Sequence, residues 1–179
     1  MRLAPLPCRG TRRRNSGLTL IELLVAVAVL SIIATIGIPN YQRLSARNEV
    51  AMEVMRIQRA LALTRNTAIT RRATVAVCAS QGPNYSACNF EDWSGDWVIV
   101  DGYIEGGNLS GEKVLRVLES HSSVSISFSR HDRPVRYKAL GRAGGHNGTF
   151  RLCGRGASSA TVIVNNVGRV RVESDTLSC

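Results

Sequence analysis

The chain has 179 residues, a net charge of +10 and a pI near 10.3. This length holds one domain of ordinary size with an appendage, which excludes a large multidomain protein. The charge favours anionic partners such as nucleic acid, acidic lipid heads or acidic proteins, without choosing among them.

An apolar segment of 21 residues, 18–38, follows five arginines near the N-terminus. At 1.5 Å per residue it is long enough to cross a hydrocarbon core of about 30 Å. The preceding arginines predict a cytoplasmic N-terminus, with the rest of the chain on the far side of the membrane.

A secretory signal peptide is the competing interpretation. It would have a shorter apolar core and a small-residue cleavage site, where this chain has Pro39-Asn40-Tyr41.

An acidic residue, Glu22, interrupts the apolar segment near its start. A carboxylate inside a membrane costs roughly 2.5–3.5 kcal/mol on insertion scales, so it marks a function and requires a partner. A new α-amine, created by cleavage just before Leu18, would supply a positive charge within reach.

Residues 14–23, RNSGLTLIEL, resemble the class III signal of type IV prepilins and type II secretion pseudopilins. The resemblance implies that prepilin peptidase removes residues 1–17 by cutting between Gly17 and Leu18, and that it N-methylates Leu18. It also implies that the apolar segment remains as the helix that packs into a filament. Glu22 then takes the fifth mature position and Pro39 the twenty-second, as in the family. Two features depart from the family pattern, because Leu18 replaces the usual phenylalanine and the 17-residue leader is longer than most.

Helical periodicity continues over residues 39–72, which we predict to be the amphipathic, periplasmic half of the same helix. Apolar residues recur at helical spacing and predict one buried stripe, consisting of Val50, Val54, Ile57, Leu61 and Ala68. Charged residues, Glu53 and Arg56 among them, occupy the rest of the helix. Gly37 and Pro39 predict a kink or a locally melted turn. A plain membrane anchor with a linker helix would explain all of this except Glu22 and the Gly17 junction.

Residues 73–179 change to the pattern of β-strands. Short runs rich in β-forming residues predict strands at Thr74–Cys78, Trp97–Val100, Ser123–Ser129, Thr149–Cys153, Ala160–Val164 and Val167–Val172. No helical pattern intervenes, so antiparallel sheets are expected. The predicted fold is therefore α+β, the type IV pilin fold. It has a long N-terminal helix, transmembrane in its first half (18–38), packed on a small antiparallel β domain (73–179).

Cysteines occur at positions 8, 78, 88, 153 and 179, and Cys8 lies in the predicted leader. The even number that remains indicates disulfides formed in an oxidising compartment. Three pairings are possible. We favour Cys78–Cys88, which closes a short loop, and Cys153–Cys179, which fixes the C-terminus to a strand. Four unpaired buried thiols are the alternative, whereas zinc is disfavoured because there is no C-x2-C pair or His–Cys cluster.

The β-rich part is similar to the GspH/FimT (FimU) branch of the family. The spacing Cys78-x9-Cys88, followed by WSGDWVIV at 93–100, resembles a W-x-x-G-W strand of that branch with one residue's difference in the glycine position. Segments 140–143, 149–152 and 166–171 resemble its C-terminal strands. We predict that Trp93 and Trp97 are core or turn-packing residues.

Nothing in the sequence predicts catalysis, a cofactor or a metal. His121, His131 and His146 lie in predicted loops without a spaced carboxylate or cysteine, and we predict that all three are surface histidines. The glycine-rich loop 144–148 lacks a Walker lysine. The acidic residues between Glu91 and Glu105 lack the order of a calcium-binding loop.

Nine basic residues and one acidic residue, Asp132, lie between positions 120 and 172, which predicts a charged face; a mixed, solvated surface is the alternative. Arg169 and Arg171 are the leading candidates for binding. Alternate residues of a strand point to the same side, which places two guanidinium groups about 7 Å apart for successive phosphates. Gly168-Arg169-Val170-Arg171 also resembles the C-terminal G-R-x-R motif of FimT pilins that bind DNA during natural transformation. The other predicted DNA-binding residues are Arg142, Arg151 and Arg155.

The preferred function is a minor type IV pilin, a non-catalytic subunit that assembles with other pilins and helps to start a fibre. DNA capture is a refinement of this function. The alternative is the H-type pseudopilin of a type II secretion system. The expected partners are other pilins or pseudopilins, prepilin peptidase, inner-membrane lipid and duplex DNA, and the expected location is the inner membrane, with a periplasmic C-terminal domain.

Overall fold

The computed structural model describes residues 19–104, 106–174 and 179. Within these residues one long helix, α1 (Leu20–Arg71), precedes nine strands. The helix ends at Arg71, one residue before the end of the predicted helical half 39–72. The locally melted turn expected at Gly37 and Pro39 is not found, because residues 20–71 are helical throughout. The chain divides after Asn40 into two compact units.

The unit that begins at Tyr41 contains the second half of α1 and two antiparallel sheets. The strands are β1 (Val75–Ser80), β2 (Cys88–Asn89), β3 (Asp96–Asp101), β4 (Val114–Leu118), β5 (Ser125–Phe128), β6 (Val135–Tyr137), β7 (Gly148–Cys153), β8 (Ser159–Val164) and β9 (Val170–Ser174). The first sheet has the order β2-β1-β3-β4, with β6 also paired to β1, and the second has the order β5-β7-β8-β9. The α+β fold and the antiparallel pairing are as predicted.

The core lies where the apolar stripe of α1 meets the inner faces of the sheets. All five predicted stripe residues are buried: Val50, Val54, Ile57, Leu61 and Ala68. Trp93 and Trp97 are also fully buried and contact each other edge to face, with ring centroids 5.1 Å apart. Phe150 of the second sheet lies 5.1 Å from each tryptophan ring, so aromatic contacts join the two sheets. The prediction that the tryptophans are core or turn-packing residues is confirmed.

One part of the helix prediction is wrong. Of the two residues assigned to the polar side of α1, Glu53 is buried and Arg56 is half-buried, with side chains 6% and 12% exposed. The Arg56 Nε donates to a Glu53 carboxylate oxygen over 2.7 Å, and its Nη1 donates to the backbone carbonyls of Gly95 and Leu118. The guanidinium also lies over the Trp97 ring, 5.5 Å from its centroid. Arg56 therefore attaches α1 to the first sheet, which a helical wheel cannot show.

Candidate functional site

The N-terminal end of α1 is closed by a reciprocal pair of hydrogen bonds. The Thr19 hydroxyl accepts from the Glu22 amide over 3.3 Å, and a Glu22 carboxylate oxygen accepts from the Thr19 amide over 3.5 Å. This is the capping-box arrangement, in which a side chain three residues into the helix returns to the first position. Glu22 thus has a local partner within the described residues. Gly17 and Leu18, the predicted processing site, lie outside the described residues.

The apolar first part of α1 carries large side chains that the described residues leave uncovered. Exposed residues run from Leu20, which is 77% exposed, to Ile38, which is 55% exposed. By length and composition this helix can cross a membrane. Within it, the Ser31 hydroxyl donates to the Val27 carbonyl and the Thr35 hydroxyl to the Ile32 carbonyl, so both polar groups are satisfied inside the helix. Pro39 lies at the end of this segment and does not interrupt it.

The outer face of the second sheet holds two of the predicted DNA-binding arginines. Arg151 on β7 lies opposite Thr161 on β8, and Arg171 on β9 lies opposite Ile163 on β8. Both side chains are exposed. Ile163 also pairs with Thr149 of β7, so Thr149 and Arg171 lie at the same level of the sheet, two strands apart. Arg151 is two residues further along β7 than Thr149. At typical strand spacings the Cα atoms of Arg151 and Arg171 are therefore about 12 Å apart. Arg171 is also paired with Glu173, its Nη2 lying 2.9 Å from a carboxylate oxygen.

Arg169 precedes β9 instead of lying within it. The strand begins at Val170, three residues later than predicted, because residues 165–169 form a turn. In that turn the Gly168 amide donates to the Asn165 carbonyl, and the Arg169 amide donates to the Asn165 side-chain oxygen. Val164 and Val170 are the last residue pair between β8 and β9. The next residues, Asn165 and Arg169, continue this pairing, because the Asn165 amide donates to the Arg169 carbonyl. Strand alternation continues through such a pair, which places Arg169 and Arg171 on one face.

Gly168 has a structural reason to be glycine. Its φ is +82°, and a Cβ there would lie 2.3 Å from the Gly141 carbonyl oxygen and 2.9 Å from the Tyr137 ring. The turn 165–169 therefore packs directly on the turn 138–143. Arg65 of α1 donates from its Nε to the Gly141 carbonyl over 3.0 Å, which supports this contact. The glycine of the G-R-x-R motif is thus required by packing, and only the arginines remain as evidence for binding.

Arg142 lies beside this turn, whereas Arg155 does not. The Ala143 amide donates to the Asn166 carbonyl, so the residue after Arg142 contacts the turn that carries Arg169. Arg155 lies in the short 3₁₀ turn Arg155–Ala157, at the opposite end of β8, and its guanidinium pairs with Glu49 of α1. A six-residue strand spans about 17 Å. The structure therefore places Arg151, Arg169 and Arg171 on one face of the second sheet and Arg142 next to the turn that carries Arg169. Arg155 lies at the other end of β8 and is paired with α1.

The four cysteines outside the predicted leader form two disulfides. Cys78 bonds to Cys88 with a Cα–Cα distance of 5.7 Å, and Cys153 bonds to Cys179 with the same distance. The first links β1 to β2 across the loop that joins them, and the second connects the C-terminal residue to the end of β7. This is the nearest-neighbour pairing.

The histidines do not share one environment. His121 and His131 are exposed, but His146 is half-buried and is not the surface histidine that was predicted. Its Nδ1 lies 2.8 Å from the Pro134 carbonyl, which makes Nδ1 the donor, and its Nε2 contacts the Arg136 guanidinium as an acceptor. Burial lowers the pKa of His146, an effect opposed by the Pro134 hydrogen bond and reinforced by the charges of Arg136 and Arg133. Within the described residues no group of three or more His, Cys, Asp or Glu side chains could hold a metal ion; Glu105 lies outside them.

Comparisons with known proteins agree on one family. The family described as "Type II transport protein GspH" matches residues 53–168, and the "Prokaryotic N-terminal methylation motif" matches residues 12–38. The chain is 33% identical over 96 residues to the "Type IV major fimbrial protein FimA" of Dichelobacter nodosus, covering 54% of this chain and 53% of that protein, so it spans about half the length of that relative. The first match ends at Gly168, just before Arg169 and Arg171.

Solved structures share the fold at low sequence identity. A crystal structure of the type IV minor pilin FimU of Pseudomonas aeruginosa superposes with a TM-score of 0.58 at 17% identity, covering 76% of this chain and 96% of that one. A second crystal form of the same pilin gives a TM-score of 0.52, also at 17% identity, covering 75% and 95%. At this identity the likeness shows the fold alone.

Proposed function

Because this chain belongs to the GspH family of type IV minor pilins and pseudopilins, we propose that it is a minor pilin that is processed at Gly17–Leu18 and assembles through α1 into an inner-membrane-rooted fibre. The observation that carries the proposal is the apolar surface of residues 20–38, exposed along its whole length. Exposed apolar area of this extent requires lipid before assembly and neighbouring helices afterwards. Prepilin peptidase, inner-membrane lipid and other pilins are therefore the proposed partners, and the domain from Tyr41 onward is proposed to lie in the periplasm.

Glu22 variants separate the two roles that this residue can have. Glutamine also serves in a capping box, so Glu22→Gln keeps the bond to the Thr19 amide and removes only the charge. Thr19→Ala removes the cap and keeps the charge. If the carboxylate pairs with the new α-amine during assembly, an epitope-tagged Glu22→Gln chain will be processed but absent from sheared fibres, whereas the Thr19→Ala chain will be present. Incorporation of both variants at the wild-type level would contradict the proposed role of the charge.

A type II secretion pseudopilin remains the second candidate, because the matching family is described as a type II transport protein. Deletion of the gene distinguishes the two functions. Loss of surface fibres with normal protein export supports the minor pilin. Loss of export with intact fibres supports the pseudopilin.

DNA capture is the finer proposal for the exposed arginines around β9. Arg142, Arg151 and Arg169 have no ion-pair or hydrogen-bond partner for their side chains among the described residues, so their charges are free to meet phosphates. Arg171 is different, because Glu173 competes for its guanidinium. Two opposite effects follow. Arg169→Gln with Arg171→Gln weakens binding to duplex DNA, and Glu173→Gln strengthens it.

The measurement is fluorescence anisotropy of labelled duplex DNA with the processed full-length chain in non-ionic detergent, as salt is varied. Each arginine that neutralises a phosphate contributes about 0.9 to the slope of log K against log salt, so the double variant loses nearly 2 from that slope. A matched control, Arg59→Gln with Arg116→Gln, removes the same charge from exposed sites on α1 and β4. Equal affinities of the two double variants would remove the claim for Arg169 and Arg171.

A further inference from the structure

A small basic pocket lies between the start of the periplasmic helix half and the loop that joins β7 to β8. It is lined by Arg43 and Arg47 of α1 and by Gly156, Ala157 and Ser158. Arg43 and Arg47 are four residues apart, so they lie on the same face of the helix. All five residues belong to the unit that begins at Tyr41. The pocket was not anticipated from the sequence, because its two halves are more than 100 residues apart.

Within the part of the chain that the structure describes, no acidic side chain pairs with the charge in this pocket. Arg43 and Arg47 are exposed, and neither has an ion-pair or hydrogen-bond partner among the residues that the structure describes. The nearest acidic residue on the helix, Glu49, pairs with Arg155. The following one, Glu53, pairs with Arg56. Two guanidinium groups therefore remain to face an incoming anion, and each presents paired N–H donors that suit phosphate oxygens.

The loop side of the pocket is open and small. Gly156 has a φ of +62°, and a Cβ built there would meet no atom within 4 Å. The Ser158 hydroxyl donates to the Arg155 carbonyl over 2.8 Å, and the Gly154 amide donates to the Ser158 carbonyl over 2.9 Å, which fixes the shape of the loop. An anion between the two arginines would thus meet a defined backbone surface and no bulky side chain.

The position of these arginines in the chain indicates which phosphate they would meet. Arg43 and Arg47 come five and nine residues after Ile38, the end of the apolar segment, which is about 7.5 and 13.5 Å at 1.5 Å per helical residue, and helical side chains lean back toward the N-terminus. The headgroup region on each side of a bilayer is roughly 5–8 Å thick. Tyr41, which is 72% exposed, is of the residue type enriched at this depth. Lipid phosphates are concentrated at the depth of Arg43, and the long side chain of Arg47 extends back toward them.

We propose that Arg43, Arg47 and the 156–158 loop bind the phosphate of an anionic phospholipid in the periplasmic leaflet. This inference rests on the proposed membrane anchoring. The site holds the domain at the membrane surface before assembly, and it does so through charge, independently of the apolar helix. An anionic headgroup binds there, and a zwitterionic one binds weakly because its own cation faces the two arginines.

The test uses the full-length chain reconstituted into vesicles that contain a trace of photoactivatable phosphatidylglycerol or phosphatidylcholine. Alkaline carbonate extraction first establishes that the chain is inserted. Crosslinks are then mapped by mass spectrometry to peptides containing residues 43–47 and 155–158. We expect phosphatidylglycerol to label these peptides, and Arg43→Gln with Arg47→Gln to reduce labelling about tenfold or more, since each basic residue near an anionic surface contributes a severalfold factor. The control pair Arg59→Gln with Arg116→Gln leaves labelling unchanged.

A second pair of variants keeps the shape of the loop and changes only its charge. Asp and Asn both tolerate a positive φ, so Gly156→Asp places a carboxylate in the pocket and Gly156→Asn is its neutral match. We expect Gly156→Asp to lose labelling and Gly156→Asn to keep it. Equal labelling of these two variants, equal labelling by the two lipids, or displacement of the lipid by millimolar glycerol phosphate would overturn the lipid site. Release of the chain by carbonate would overturn the proposed function itself, and the inference with it.

Discussion

Replacing Gly168 by alanine tests whether the turn that carries Arg169 packs as closely as the structure indicates. The substitution combines two costs. An L-residue at φ +82° costs about 1–2 kcal/mol. The added Cβ would lie 2.3 Å from the Gly141 carbonyl oxygen, so the backbone must move, and overpacking of this kind costs about 1–3 kcal/mol. Gly168→Ala should therefore lower the free energy of unfolding by about 2–5 kcal/mol.

Gly111→Ala is the matched control, because Gly111 has a φ of +89° but nothing within 4 Å of its built Cβ. It should cost only the conformational part, about 1–2 kcal/mol. Unfolding of the full-length chain in detergent can be followed with urea by the emission of Trp93 and Trp97, which are fully buried. If the two variants have the same midpoint and slope, the close approach of the turns 138–143 and 165–169 is wrong.

Three further predictions concern stability, measured in the same way. Replacing both cysteines of a disulfide by alanine should cost about 2.7 kcal/mol for Cys78–Cys88 and about 3.5 kcal/mol for Cys153–Cys179, because their sequence separations are 10 and 26; the reverse order would contradict the loop-entropy argument. Arg56→Met should cost about 3–5 kcal/mol, because Glu53 then stays buried without its partner, and adding Glu53→Gln should recover part of the loss; a double variant less stable than Arg56→Met alone would contradict this. His146 has a folded-state pKa below its ordinary value of 6.5, so the unfolded chain binds the proton first as pH falls. Its contribution to stability is therefore complete above about pH 6.5 and decreases as pH falls through the lowered pKa, and His146→Gln, but not the control His131→Gln, should flatten this dependence.

The sequence predicted the helix and the long strands because their patterns are local. The stripe from Val50 to Ala68 and the alternation in Ser125–Phe128 each follow from neighbouring residues on one face. Three strands were missed. β2 has two residues and β6 has three, too few for any period, and β4 has a charged residue, Arg116, in the middle of its apolar run. These strands exist because of long-range pairing, such as Val75 with Tyr137, and sequence periodicity does not contain that information.

The candidate sites divide in the same way. Glu22 and the junction at Gly17 stand out as a motif because a carboxylate in an apolar segment is costly. The common surface of Arg151 and Arg171, in contrast, depends on how β7, β8 and β9 are aligned. The partner of Arg155, Glu49, is 106 positions away in the sequence, and only the fold brings it close. Burial of Glu53 and Arg56 was missed for a related reason. A charged pair on a helix is normally solvated, and here the carbonyls of Gly95 and Leu118 and the Trp97 ring provide Arg56 with partners inside the domain.

Cleavage of the leader at Gly17–Leu18 is the step on which membrane rooting and assembly of this pilin subunit depend. Intact-mass and N-terminal peptide mass spectrometry can test it on protein extracted from membranes of cells that contain prepilin peptidase. We expect a chain that begins at Leu18 with one added methyl group, and retention of residues 1–17 when the peptidase is absent. A leader still attached in the presence of the peptidase, or an N-terminus beyond residue 38, would contradict it.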